Sequence, residues 1–272
     1  MAIYAFAVEP AWLRVRHRVL YPEGWPRSLS GLRILHLSDL HIGRSSNRIA
    51  RFLRATDGID VDVVAITGDF VDKPADTRDI PSVFTGLWEG VPVLGVLGNH
   101  DRYAYSKPWL GARGRPWEGS ALIDALRLAG VELLRDEKTT VTLRGGKGVA
   151  TFVGADLTSE LTTALKGVVA GAEDSRAVIL MTHSPDVFAE ACGLGVPLVL
   201  CGHTHGGQIR LGPWFAPTTS TKIPLKPHYG MIAAGSTLMH VSPGLGTTLL
   251  PFRFFARPEA TILELRSSSD DI

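Results

Sequence analysis

Five short polar clusters carry the residues of this chain that could do chemistry: Asp39-Leu-His41, Gly68-Asp69, Gly98-Asn99-His100-Asp101, His183, and Gly202-His203-Thr-His205. Each follows an apolar run. Alone, each reads as a turn or a hydrogen-bonded strand end. Together they offer carboxylate and amide oxygens and imidazole nitrogens, with no thiolate. That donor set suits Mn²⁺, Fe or Zn²⁺ at a working centre better than a structural zinc knot. These candidate ligands are too many for one ion but enough for two if one carboxylate bridges. Two ions about 3.5–4 Å apart are the recurrent arrangement for phosphate-ester hydrolysis.

The elements that must bring these clusters together are legible. The segments 32–39, 61–69, 91–101 and 177–184, and the run before Gly202, read as buried strands. Between them lies a helix in 45–58 that puts Ile49, Phe52, Leu53 and Thr56 on one face and stops at Gly58. A second helix spans 121–129 with Ser120 as N-cap and Gly130 beyond its end. A third covers roughly 159–170. A fourth follows Ser184-Pro185 and stops at Gly193. Residues 139–154 alternate and turn on glycines, so they read as a hairpin. The order predicts a layered α/β protein, one domain over 1–272 with a frayed tail from about 267. In α/β sheets ligands bind beyond the carboxyl ends of the strands. Five such ends, spread over more than 160 residues, are therefore expected to converge.

As an ordered set, D-x-H, GD, GNHD, H and GHTH resemble the calcineurin-like metallophosphoesterase superfamily from Asp39 to His205. "GHTHGGQIRL" and the C-terminal "SPGLGTTLLPFRFFARPEATILEL" are similar to a bacterial branch of YkuE- and YaeI-type phosphodiesterases, which includes a UDP-2,3-diacylglucosamine pyrophosphatase of lipid A synthesis. The resemblance implies a four-layer αββα sandwich of two mixed sheets flanked by helices. It implies two divalent metal ions, one held by Asp39, His41 and His205 and the other by Asn99, His183 and His203. Asp69 would bridge them together with a water or hydroxide nucleophile. His100 would contact the phosphate and protonate the leaving oxygen, oriented by Asp72, with Asp101 as the rival partner. Lys73-Pro74 stands where phosphoprotein phosphatases have Arg-Gly, which weakens a phosphoprotein reading.

Composition narrows the alternatives. A formal net charge of +1 gives no long-range field for nucleic acid, so a nuclease is disfavoured and no nucleic-acid partner is expected. A non-catalytic scaffold on the same fold would show eroded ligands, and none is eroded here. Two cysteines make no disulfide framework, and a reducing, cytoplasmic setting is the default. No segment approaches the ~18 continuous apolar residues of a membrane span. The apolar start is broken by Glu9 and Pro10 and lacks a basic region before it.

Substrate is less legible. The substrate class is a phosphate ester or pyrophosphate. Loops 102–119 and 212–230 offer Tyr103, Tyr105, Trp109, Trp117, Trp214, Phe215, Ile223, Leu225 and Tyr229. These either pack the loops or form an apolar rim for a lipid or nucleotide group. Arg14, Arg16 and Arg18 alternate with Val15, His17 and Val19. They read as a solvated basic face of an edge strand, or as a strip that meets anionic membrane at the inner leaflet. Gln208 is a candidate substrate contact.

Overall fold

The computed structural model describes residues 2–43, 45–105, 114–117, 119–156, 163–212, 216, 221–222 and 228–268. The first half supplies strands β1 (Arg14–Leu20), β2 (Leu32–Leu37), β3 (Val63–Thr67), β4 (Val93–Val96), the short pair β5 (Tyr103–Ala104) and β6 (Arg115–Pro116), and β7 (Val131–Leu133). The second half supplies β8 (Glu137–Thr142), β9 (Val149–Gly154), β10 (Val178–Met181), β11 (Leu198–Cys201), β12 (Gly230–Ala234), β13 (Thr237–Val241) and β14 (Glu259–Leu265). Helices α1 (Ser46–Arg54), α2 (Ile80–Phe84), α3 (Ser120–Leu128), α4 (Thr163–Ala170) and α5 (Phe188–Gly193) separate them.

Two six-stranded mixed sheets result, ordered β1-β14-β2-β3-β4-β7 and β12-β13-β11-β10-β9-β8. Strands buried on both faces read as continuous apolar runs rather than alternations, because each side must meet a hydrophobic layer. β3, β4, β10 and β11 are buried at every position. Ile34, Ala65 and Leu94 of one sheet meet Phe152, Ile179 and Leu200 of the other in the central core. The outer face of the first sheet packs Leu35, Val64 and Ile66 under Ile49, Phe52, Leu53, Val83 and Leu122 of α1, α2 and α3. The outer face of the second packs Val153, Leu180 and Val199 under Val169 and Phe188. The architecture is the αββα sandwich.

β2, β3 and β4 run parallel in one sheet, and β10, β11 and β13 run parallel in the other. Their carboxyl ends therefore lie together at one edge of the sandwich. The hairpin β8–β9 is antiparallel and turns through Gly145 and Gly146, as its alternation predicts.

Local expectations fail where tertiary contacts outvote a local signal. α3 starts at Ser120 itself, with Gly119 at φ 66° before it, so Ser120 is not the N-cap. α1 ends at Arg54, short of Gly58: from Thr56 the N–H groups turn to the third carbonyl back, Thr56 to Leu53 at 2.9 Å, and Gly58 closes the turn at φ 75°. α4 is described over Thr163–Ala170, and residues 159–162 of the helix expected there lie outside the described residues. Ser267 is not frayed: it is buried, and its N–H donates to Ser30 Oγ at 3.1 Å.

The arginine strip on β1 is also reversed. Arg14, Arg16 and Arg18 are the half-buried positions, whereas Val15, His17 and Val19 are exposed. Buried Glu259 on the neighbouring β14 draws Arg16 to 3.0 Å and Arg14 to 3.7 Å. Two of the three cations are thus committed within the fold, and this face is no free basic strip.

Candidate metal centre

All five polar clusters meet at the shared strand ends. The regular strands stop at Leu37, Thr67 and Cys201, and the chain turns at once. Asp39, His41, Asp69, His203 and His205 have positive φ, between 48° and 69°. Left-handed backbone at non-glycine residues costs of order 1–3 kcal/mol each and persists only where the surroundings over-determine it. Here hydrogen bonds cross-link the turns: Asp39 N–H to Gly68 O at 3.0 Å, and His41 N–H to Asp69 O at 2.9 Å. Glycine is required beside them. A Cβ on Gly68 (φ 83°) would lie 2.6 Å from His183 Nδ1, and one on Gly202 would overlap Ser38 and the Asp39 carboxylate.

Asp39, His41, Asp69 and His205 each present a ligand atom, all within 4.8 Å of one another, and all four residues are buried. His205 Nε2 lies 3.4 Å from Asp39 Oδ1 and 3.1 Å from His41 Nε2. Beside them, His183 Nε2 lies 3.1 Å from Asn99 Oδ1 and 3.0 Å from His203 Nδ1. Asp69 Oδ2 stands between the groups, 3.5 Å from His41 Nε2 and 3.4 Å from His183 Nε2. His203 and His205, two apart in sequence, therefore face different partners.

The tautomers show what this geometry asks for. His41 Nδ1 is 2.6 Å from Asp72 Oδ1, and His183 Nδ1 is 2.8 Å from the Thr67 carbonyl. Both acceptors fix the ring proton on Nδ1 and leave the Nε2 lone pair facing the centre. Imidazole ligands of metals are oriented in this way. Lone pairs and carboxylate oxygens then converge at separations where they repel unless positive charge lies among them. Titration points the same way. Burial pushes His41 down, yet Asp72, Asp69 and Asp39 lift it to about 9. Burial also opposes His183, but Asp69 and Asp39 raise it to about 10. The residues fit divalent cations in number, chemistry and orientation. His41, Asp72 and His100 also offer atoms within 4.8 Å, but there a proton already joins His41 to Asp72.

His100 stands outside this donor set. Its N–H donates to Asp69 Oδ1 at 2.9 Å, its ring lies edge-on to His41, and its Nε2 is 3.3 Å from Thr248 Oγ1. Burial lowers its pKa. Asp72 is not its hydrogen-bond partner: the carboxylate binds His41 and stays 3.9 Å from His100 Nδ1. Asp101 is not the partner either. Its carboxylate is fully buried and accepts the N–H groups of Phe70, Val71 and Gly98, tying two strand-end turns together. Burial raises it to about 7.

Gln208 is spent inside the fold. Its amide donates to the carbonyls of Thr248 (2.9 Å) and Leu250 (3.0 Å) and accepts from Thr248 N–H (3.0 Å). This clamp holds the Thr248 hydroxyl by His100, so Gln208 supports the site without facing it. Of the aromatic rim, Tyr105 stacks on His100 at 4.7 Å and its hydroxyl meets Asn99 at 3.4 Å, while Trp117 donates to the His100 carbonyl. Trp109, Trp214, Phe215, Ile223 and Leu225 lie outside the described residues.

The segment after β13 was missed from sequence as part of the site. Leu245 N–H donates to Ser38 O, and Gly246 N–H donates to Asp39 O at 2.7 Å. Fully buried Arg253 reaches the carbonyls of Gly246, His205 and Ala256. The available signal was "SPGLGTT", a glycine-rich turn following an apolar run like the other five.

The chain is similar to known metallophosphoesterases along nearly its whole length. YkuE of Bacillus subtilis, an uncharacterized metallophosphoesterase, is 28% identical over 98% of this chain and 90% of its own. A metallophosphoesterase of Aquifex aeolicus is 28% identical over 97% and 95%. Phosphodiesterase YaeI of Escherichia coli is 27% identical over 96% and 92%. The calcineurin-like phosphoesterase family model matches residues 32–207, from the start of β2 through both histidines after β11, and the chain belongs to that family of metal-dependent phosphoester hydrolases.

Proposed function

We propose that this protein hydrolyses a phosphodiester or pyrophosphate bond at a centre of two divalent ions, with water as the nucleophile. The observation that carries the reading is Asp69. One carboxylate oxygen stands within 3.5 Å of the free nitrogens of both His41 and His183, the place of a bridging ligand. Asp39, His41 and His205 would hold one ion, and Asn99, His183 and His203 would hold the other. When bound, such a pair lowers the pKa of a coordinated water and clamps the oxygens of an in-line displacement. The mixed oxygen and imidazole donors favour Mn²⁺, with Fe or Zn²⁺ as the alternatives.

The protein's own part is to aim these donors at one point, and to place His100 beside the centre as the group that meets the leaving oxygen. Its imidazole lies against both Tyr105 and the Thr248 hydroxyl, so its orientation is held from two sides. A lipid-linked phosphate, such as a UDP-2,3-diacylglucosamine-like molecule, is the finer reading of the substrate. Exposed Leu249 and Leu250, directly after Thr248, support it.

The test is a hydrolysis panel on Mn²⁺-loaded protein: a bis-aryl phosphate, a nucleotide–lipid pyrophosphate, a phospholipid, a cyclic nucleotide and an aryl monoester. Turnover of the diester or the pyrophosphate above the monoester is expected. Monoester turnover alone would overturn the bond class.

A further inference from the structure

The N-terminal turn and the loop after Thr248 form one apolar surface. In the wide helical turn Tyr4–Val8, Phe6 stacks on Phe252 at 4.5 Å and Tyr4 meets Phe254 at 6.4 Å. Ala5 O accepts from Arg253 N–H at 3.1 Å. Residues 208–210 bridge to Phe254, and Leu211 follows them directly in the chain. Large side chains that fit the core chemically are left in solvent: Ile3 is 79% exposed, Leu211 66%, and Phe6, Leu249 and Phe255 each just over half. A contiguous apolar surface of this kind marks an interaction site.

The charge around it has one sign. Residues 2–13, 206–212 and 247–258 contain a single acid, Glu9. Glu9 is 1% exposed and is consumed by the N–H groups of Phe255 and Ala256. The charge at the edge is the partly exposed guanidinium of Arg257, 3.8 Å from the ring centre of half-exposed Trp12. Its N–H groups go to the carbonyls of Trp12 and Leu13, and among the described residues no carboxylate pairs with it. Apolar side chains flanked by an aromatic ring and an unpaired arginine match the boundary of an anionic bilayer, where rings sit at headgroup depth and arginine meets phosphate.

We infer that this surface docks on an anionic phospholipid membrane and brings the metal centre to the lipid boundary, since Leu249 is the residue after the Thr248 that touches His100. The inference gives a surface to the lipid-linked reading above but stands on the patch alone. Binding and turnover are therefore read separately.

Full-length protein, tagged at the C-terminus, is sedimented with phosphatidylcholine vesicles with and without phosphatidylglycerol. Binding to the anionic vesicles is expected, lost at least tenfold in Phe6→Asp and in Leu211→Asp. Arg257→Gln should weaken it for anionic vesicles only. Turnover of a soluble bis-aryl phosphate should stay unchanged in all three variants. Any of three results overturns the inference: no binding at low salt, equal binding of wild type and both aspartate variants, or equal binding to neutral and anionic vesicles. Light scattering that shows a wild-type dimer and monomeric aspartate variants would assign the patch to a second copy of the chain and overturn it as well.

Discussion

Asp72 Oδ1 lies 2.6 Å from His41 Nδ1, and this bond sets which nitrogen of His41 faces the metal centre. Removing such an outer partner typically costs ten- to a hundredfold in metal affinity. Asp72→Ala is therefore expected to weaken Mn²⁺ binding by about that factor while saturating metal restores most turnover. Calorimetric metal titration beside steady-state kinetics checks this. Unchanged affinity with a kcat that metal does not rescue would instead make His100 the residue Asp72 serves.

Asp69 Oδ2 lies 3.5 Å from His41 Nε2 and 3.4 Å from His183 Nε2. Asp69→Ala should abolish hydrolysis and lower bound metal, read by elemental analysis of dialysed protein. Chelation of the wild type should give the same loss, reversed by Mn²⁺. Full activity in Asp69→Ala would refute the bridging assignment.

His100 contributes a ring at the edge of the centre rather than a lone pair within it. His100→Ala is expected to keep its metal and lose about 10²–10⁴ in kcat, the usual contribution of a general acid. Loss of metal in that variant would make His100 a ligand.

Gln208 closes three hydrogen bonds with the Thr248–Leu250 loop. Gln208→Ala removes three part-buried hydrogen bonds to the Thr248 N–H and the Thr248 and Leu250 carbonyls, so a destabilisation of about 1 kcal/mol in denaturant melts is expected. The loop that carries Thr248 should loosen, and kcat should fall with it. A raised KM at full stability would show that Gln208 touches substrate after all.

Glu264 gives the pH prediction. Burial pushes its carboxyl up, but Arg266, Arg33 and His17 outweigh this and hold it below the usual value of 4.5. A depressed acid stabilises the fold above its unfolded pKa and loses that contribution as pH falls through the folded value. Glu264→Gln should therefore be less stable than wild type near pH 6, with the gap closing toward pH 3. A gap independent of pH in parallel urea melts would contradict the ion-pair account.

The donors themselves were legible in the sequence because their chemistry is a property of residue type, and because an apolar run that ends in Asp, Asn or His announces a strand end. Asp39, His41, Asp69, Asn99, His183, His203 and His205 needed no long-range information to be singled out. Their order along the chain also carried the family and, with it, the layered fold. Tertiary structure decided who meets whom. His203 and His205 would share a face in an ideal strand; they part because the strand ends at Cys201 and both residues take left-handed backbone. Asp72 turned to His41, Gln208 to the loop that carries Thr248, and Arg14 and Arg16 to Glu259, each drawn by a partner 31 to 245 residues away. Spacing along the chain fixes which side chains are available at a strand end. Only the tertiary order of the strands fixes which donor and which acceptor come together, and a buried polar group takes the partner it finds there.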